Sequence, residues 1–120
     1  MSNPFAYVEL HTENPKASKD FYRSLFDWKL QDEAMPNGKQ YTMIHPGVGF
    51  PGGLTEAEGI KSQWVIYVQV DDVRSSTDKA KKLGAKVMRE CIEIPEGTFS
   101  VLVDPAGSQL GLWQPKEKKP

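Results

Sequence analysis

Cysteine is almost absent from this sequence: Cys91 is the only one in 120 residues. One thiol cannot close an intrachain disulfide or build a multi-cysteine zinc site. An excess charge of one sign is also lacking. Fifteen basic residues stand against 16 acidic ones, net -1, so nothing is left over to neutralise phosphates and no nucleic-acid partner is expected. No run approaches the roughly 18 apolar residues of a membrane-spanning helix, and no membrane partner is expected. The opening Met1-Ser2-Asn3-Pro4-Phe5-Ala6-Tyr7 has no basic region followed by an apolar run. It does not read as a secretory signal, and a cytoplasmic location is the default expectation. Histidine is scarce, with His11 and His45 alone.

What remains is ordinary globular composition, 38% hydrophobic and 26% charged, in a chain long enough for one domain or two fused half-domains. Two helices can be placed. Asn14 is a good N-cap with Pro15 at the first helical position. From there Ala17, Phe21 and Leu25 form one apolar row, widened by Tyr22 and Phe26. The second helix follows Asp71-Asp72 and runs from Val73 to Leu83, ending at Gly84. Val73, Ala80 and Leu83 share its inner side with Ser76 and Thr77, and Arg74, Asp78, Lys81 and Lys82 form a solvated face. Strands are expected over Phe5 to Thr12, Trp28 to Asp32, Lys39 to His45, from near Phe50, Gln63 to Val70, Ala85 to Glu93, Thr98 to Val103 and Ser108 to Trp113. Pro36-Asn37-Gly38 and Pro95-Glu96-Gly97 read as hairpin turns. The polar tail from Pro115 to Pro120 reads as frayed.

The order strand, helix, strand, strand, strand is written twice. An offset of 58 residues aligns Asn14 with Asp72, Leu25 with Leu83, Tyr41-Thr42-Met43-Ile44 with Phe99-Ser100-Val101-Leu102, and Gly53-Leu54 with Gly111-Leu112. The fold class expected is α+β. Two tandem βαβββ modules, 1–57 and 58–120, together form one domain whose curved mixed sheet lines a central cup.

Strand alternation then sorts the residues. Val8 and Leu10 point under the first helix, while Tyr7, Glu9 and His11 point into the cup. Ile66, Val68 and Val70 belong under the second helix, and Val65, Tyr67 and Gln69 face the cup. Leu110 and Leu112 go to the helix side, and Gln109, Gly111 and Trp113 to the cup. Such a cup offers flat aromatic area from Tyr7, Tyr67 and Trp113 and hydrogen-bond partners from Glu9, His11, Gln69 and Gln109. Gly53 and Gly111 would open volume for a ligand or let backbones approach. The glycine-rich stretch Gly47 to Gly53 lacks the spacing of a phosphate loop. Cys91 has no evident base, so it reads as a packing or surface residue rather than as a nucleophile.

Several of these stretches carry a family likeness. Tyr7-Val8-Glu9-Leu10, Asn14-Pro15 through Phe21-Tyr22, Leu25-Phe26-Asp27-Trp28, Val70-Asp71-Asp72-Val73 and the closing Val103-Asp104-Pro105-Ala106-Gly107-Ser108-Gln109-Leu110-Gly111-Leu112-Trp113 resemble the vicinal oxygen chelate superfamily. That superfamily includes glyoxalase I, extradiol dioxygenases, fosfomycin-modifying enzymes and bleomycin-binding proteins. The resemblance implies paired βαβββ modules. In its metal-dependent members it also implies an ion held at positions that match Tyr7, Gly53, Val65 and Gly111. Valine and glycine bring no side-chain ligand and a neutral tyrosine is a poor one, so no metal and no cofactor are expected there. A relocated site would have to start from Glu9 and His11, about 7 Å apart on one strand face, with His45 as the third donor.

The functional expectation is a metal-independent small-molecule binder holding its ligand in the aromatic cup. A cationic drug held by local acids such as Glu9, Glu56 and Glu58 is a weaker variant. One alternative is a glyoxalase-like lyase or related enzyme, with a relocated metal or metal-free acid/base chemistry at His45 supported by Glu9 or His11. The other is a protein-interaction module with a vestigial cup. A homodimer is expected from the resemblance and from strand edges that want cover.

Overall fold

A computed structural model describes residues 2–36, 38–57 and 61–116. The turn residue Asn37, the acidic Glu58 and the tail beyond Lys116 lie outside the described residues. In chain order the elements are β1 (Phe5–Thr12), α1 (Pro15–Leu25), β2 (Lys29–Ala34), β3 (Gln40–His45), β4 (Gly52–Glu56), β5 (Gln63–Gln69), α2 (Val73–Lys82), β6 (Lys86–Ile94), β7 (Gly97–Val103) and β8 (Gln109–Pro115). Contacts gather them into two compact units, Tyr7–Val65 and Met1–Ala6 with Ile66–Pro120.

Local chemistry explains where the helices begin and end. The Asn14 side chain accepts from the Ala17 N–H at 3.1 Å, and Pro15 occupies the first turn without needing a donor partner. The Asp72 carboxylate accepts from the N–H groups of Arg74 and Ser75. Lys79, Lys81 and Lys82 sit at the negative end of α2. Gly84, with φ +99°, follows as the left-handed residue that closes this end. Ile94 pairs with Gly97 across a two-residue turn, as expected from Pro95-Glu96.

The units share one plan. In the first the strand order is β2-β3-β4-β1, antiparallel up to β4, with β4 parallel to β1. In the second, β6-β7-β8-β5 repeats it, with β8 parallel to β5. The 58-residue offset holds at the level of register. Glu9 lies opposite Gly53, and Tyr67 opposite Gly111. On the other side, Met43 meets Gly53 and Val101 meets Gly111. The architecture is α+β with mixed pairing in each unit.

Each core lies on the helix side of its strands. Leu10, Ile44 and Leu54 are buried together against Tyr22, Trp28 and Leu30. In the other unit Val70, Val73, Leu102 and Leu112 pack with Ala80, Ala85, Cys91 and Leu110. Three expectations fail here. Ala17, Phe21, Leu25 and Phe26 are exposed, and α1 buries none of its residues fully. The helix rests on its sheet through Tyr22, because helical periodicity reveals a stripe but not which edge of it meets the strands. Leu83 is exposed at the α2 cap, where the helix has already ended. Ile66 is exposed as well, because the cluster under α2 reaches β5 only at its far end, beside Val70.

One polar device sits inside the second core. The buried Thr77 hydroxyl donates to the Val73 carbonyl and pairs with the Ser100 hydroxyl at 2.9 Å. Ser100 in turn accepts from the Cys91 N–H at 2.9 Å. Cys91 stands where the β6–β7 register slips and has φ +50°, so its amide is not absorbed by the ladder. Ser100→Ala strands that amide, and urea unfolding should show a loss of about 1–3 kcal/mol. A loss below about 0.5 kcal/mol, the range of ordinary surface changes, would show that Ser100 does not hold the bulge.

Candidate functional site

The parity of β1 sends Leu10 into the core and Tyr7, Glu9 and His11 to the opposite face. On β3, Thr42 and Ile44 are buried on the helix side, so Tyr41 and Met43 share the face of Glu9. Between β1 and β3 runs β4, and at the crossing stands Gly53, paired with Glu9 on one side and Met43 on the other. A side chain at Gly53 would separate the two strands' polar groups. Its absence lets Tyr41 reach over β4 to β1.

The result is a continuous hydrogen-bond chain. The Tyr41 hydroxyl donates to Glu9 Oε2 at 2.6 Å, and Tyr7 and Tyr41 are joined through their hydroxyls at 2.5 Å. Glu9 Oε1 lies 2.6 Å from His11 Nε2. Proton bookkeeping orients every link. Tyr41 has one proton and gives it to Glu9, so Tyr7 is the donor to Tyr41. An ionised Glu9 accepts only, so His11 carries its proton on Nε2 and, when neutral, presents a bare Nδ1. The side chains of His11 and Glu9 are 20% and 16% exposed, partly dried yet reachable. Burial first, and then the adjacent Glu9 charge, push the Tyr41 phenol well above the ordinary tyrosine range. It is a permanent donor at any physiological pH.

The glycine does not open a void, as the sequence suggested. A methyl group at Gly53 would overlap the hydroxyls of Tyr41 and Tyr7. The second unit repeats this arrangement in apolar form. Tyr67, the repeat mate of Glu9, lays its ring over Gly111. Phe99, the mate of Tyr41, meets the Tyr67 ring edge-on at 6.1 Å between centroids. The Trp113 ring stands over Gly97, within 2.9 Å of where a methyl group would be. The Arg89 guanidinium lies 5.5 Å from the Phe99 ring centre. Gly53 and Gly111 therefore serve close approach of side chains rather than free volume. An open groove of the second unit, about 290 Å³, lies elsewhere, along Ile94, Pro95, Thr98, Gln114 and Pro115.

The remaining expected site residues are placed as follows. His45 is exposed at the end of β3, with Nε2 3.3 Å from Gln31 Oε1, and does not join Glu9. Gln69 is held by its backbone, which bonds Pro4 and the Asn3 side chain. Gln109 is half-buried at the start of β8. Tyr41 is the group that sequence reasoning missed. The available signal was its parity with Met43 on a strand whose buried residues are Thr42 and Ile44.

The metal that the family resemblance implies does not fit these residues. Both oxygens of Glu9 are engaged by His11 and Tyr41, and phenols fill the place over Gly53. Among the described residues no group of three or more His, Cys, Asp or Glu converges. Glu56 is exposed at the end of β4.

Two outcomes follow from this geometry. Gly53→Ala should cost about 1–3 kcal/mol through overpacking and should shift the His11 ring signals in NMR spectra; a neutral substitution would mean that the phenols are not seated there. A phenol whose folded pKa exceeds its unfolded value stabilises the fold fully below the unfolded value, about 10. That contribution is lost as pH rises above it. Denaturant unfolding should therefore weaken above about pH 10, less steeply in Tyr41→Phe. An identical alkaline slope in the two proteins would remove Tyr41 from the network.

The model of a family described as "Glyoxalase-like domain" matches residues 7–112. The protein named "Putative glyoxylase CFP32" of Mycobacterium tuberculosis (strain CDC 1551 / Oshkosh) is 35% identical over 120 residues, 90% of this chain and 44% of that protein. The "Anthracycline biosynthesis protein DnrV" of Streptomyces peucetius is 25% identical, over 91% of this chain and 46% of its own length. The chain thus spans about half the length of these relatives. Among solved structures, a hypothetical protein from Bacillus halodurans C-125 superposes with TM-score 0.73 at 16% identity, over 100% and 99% of the two chains. Methylmalonyl-CoA epimerase from Mycobacterium tuberculosis does so with TM-score 0.66 at 14% identity, over 94% and 88%. These likenesses show the shared fold. Together with the family match over the repeated modules, they place this chain in the glyoxalase-like domain family of the vicinal oxygen chelate superfamily.

Proposed function

We propose that this chain is an acid/base enzyme module of its superfamily, working on a small carbonyl compound without a metal at the inherited positions. The observation that carries the reading is the chain Tyr7–Tyr41–Glu9–His11 over Gly53. A carboxylate fixes one imidazole nitrogen as N–H and leaves the other as a base, with phenols fixing the carboxylate in turn. Roles of this kind need pre-set geometry more than they need a metal. In the proposed step His11 Nδ1 takes a proton from the carbon beside a carbonyl. The electron pair moves toward the carbonyl oxygen, and Glu9 stabilises the imidazolium. On a 2-hydroxycarbonyl compound the hydroxyl proton passes to the former carbonyl oxygen and His11 returns its proton to the former carbonyl carbon, so the reaction is a balanced isomerisation; return to the original carbon gives proton exchange alone. The glyoxylase name of the mycobacterial relative agrees with a carbonyl substrate.

This reading replaces simple capture of a ligand by aromatic walls as the first choice, because Glu9 and His11 are arranged relative to each other and not only displayed. A second reading keeps a specific support. The half-buried Phe99 and Trp113 rings of the other unit, paired across β7 and β8 with Arg89 beside Phe99, form a surface suited to a flat aromatic molecule. The name of the Streptomyces peucetius relative is in keeping with that ligand class.

The test is proton exchange beside the carbonyl, followed by NMR in deuterated water across a panel of 2-oxoaldehydes, their thiol adducts and 2-hydroxyketones. Exchange by the native chain should fall about 10²–10⁴-fold in His11→Asn and in Glu9→Gln, and it should survive exhaustive chelation. No exchange on any member, together with tight binding of planar aromatics, would establish the second reading instead.

A further inference from the structure

Proton removal from a carbon beside a carbonyl gathers negative charge on the carbonyl oxygen. A donor fixed at that place lowers the barrier. The groups of the Glu9 network have no proton to spare for it. Tyr41 gives its one proton to Glu9, and Tyr7 gives its own to Tyr41. His11 commits its Nε2 proton to Glu9. We infer that the Thr55 hydroxyl, beside His11 on β4, is the catalytic donor that holds the substrate's carbonyl oxygen. This role rests on the acid/base reading of Glu9 and His11.

Register and parity put Thr55 in place. It pairs with His11 on one side and with Tyr41 on the other. Leu54 is buried in the core, so Thr55 turns to the opposite face, shared with Gly53, Glu9 and His11. One strand spacing, about 4.8 Å, separates its backbone from that of His11. A carbonyl oxygen is two bonds from the carbon that loses the proton, so one small molecule spans the two side chains. Thr55 is half-buried, and among the described residues its hydroxyl enters no hydrogen bond. Other donors of this unit are spent or distant. The Thr12 and Thr42 hydroxyls are engaged by Ser18 and Asp32 on the helix side. Gln31 stands on β2, three strands and about 14 Å from β1. Lys39 precedes β3 and has a partner of its own. In the step the C–H bond breaks toward His11 Nδ1 and its pair forms the carbon–carbon double bond. The carbonyl π pair moves onto oxygen, where Thr55 donates a hydrogen bond and keeps its proton. Such a bond strengthens as charge develops, so its loss falls on kcat more than on KM.

Thr55→Val tests this, because valine keeps the branched shape and the strand preference and removes only the hydroxyl. Should it fail to fold, Thr55→Ala replaces it. Deuterium exchange on the same carbonyl panel should show kcat reduced about 10²–10³-fold with KM little changed. Thr55→Ser restores an O–H and should recover most of the rate. The His11 ring nitrogen shifts should stay native in both variants. A native rate in Thr55→Val overturns the inference and leaves the acid/base reading standing. A loss that serine does not restore, or one that comes with altered His11 shifts, also overturns it and marks Thr55 as packing. If the native chain exchanges no member of the panel, the acid/base reading fails on its own. Binding of glycolohydroxamate, a planar analogue of the charged enediolate, then decides the place of Thr55 as an oxygen-binding donor. Its affinity should drop about 10–100-fold in Thr55→Val, the worth of one hydrogen bond to a charged oxygen. Equal affinities, or no binding by the native chain, overturn the assignment.

Discussion

The organising constraint is an acid inside a strand. Glu9 alternates with Tyr7 and His11 on the face of β1 that turns away from the α1 core, and its carboxylate is only 16% exposed. A charge so placed must be satisfied on both oxygens. His11 and Tyr41 do this, one from the same strand and one from two strands away. The reach of Tyr41 depends on a residue with no side chain, Gly53, in the strand between. Folding of this unit and the chemistry proposed for it thus share one requirement. The register that puts Leu10, Ile44 and Leu54 together is the register that puts Glu9, Gly53 and Tyr41 in line.

The duplication shows what is general and what is particular. Both units place a glycine of the closing strand beneath a large side chain, and both close the first strand of the module against it in parallel. In the second unit the partners are Tyr67 and Phe99, and the contact is aromatic. In the first they are Glu9 and Tyr41, and the contact is a charge-assisted hydrogen bond. One scaffold position thus supports packing in one half and polar chemistry in the other.

Much of the fold was legible because local rules decide it. Asn14-Pro15 and Asp72 begin helices for reasons contained in a few residues, and Gly84 ends one for a reason contained in itself. Alternation correctly sent Leu10, Leu110 and Leu112 to the helix side. What was not legible depended on distance across strands. Tyr41 looked like one more member of an apolar strand, since no local feature reveals which strand lies beside it. Gly53 and Gly111 read as openings or as sites of close backbone approach, since a missing side chain says nothing of what fills its place. His45 was read as the candidate base with His11 in support, but it sits at a strand end beside Gln31. The row Ala17, Phe21 and Leu25 was read as core because periodicity shows an apolar stripe without its direction; the sheet takes Tyr22 instead.

The account rests on His11 being held by Glu9 with its proton on Nε2. Imidazole nitrogen shifts of the neutral His11 ring in the ¹⁵N-labelled chain measure this directly. The account predicts a protonated Nε2 and a bare Nδ1 for His11, with that preference lost in Glu9→Gln. A protonated Nδ1, or a ring averaging between tautomers as free imidazole does, would contradict it.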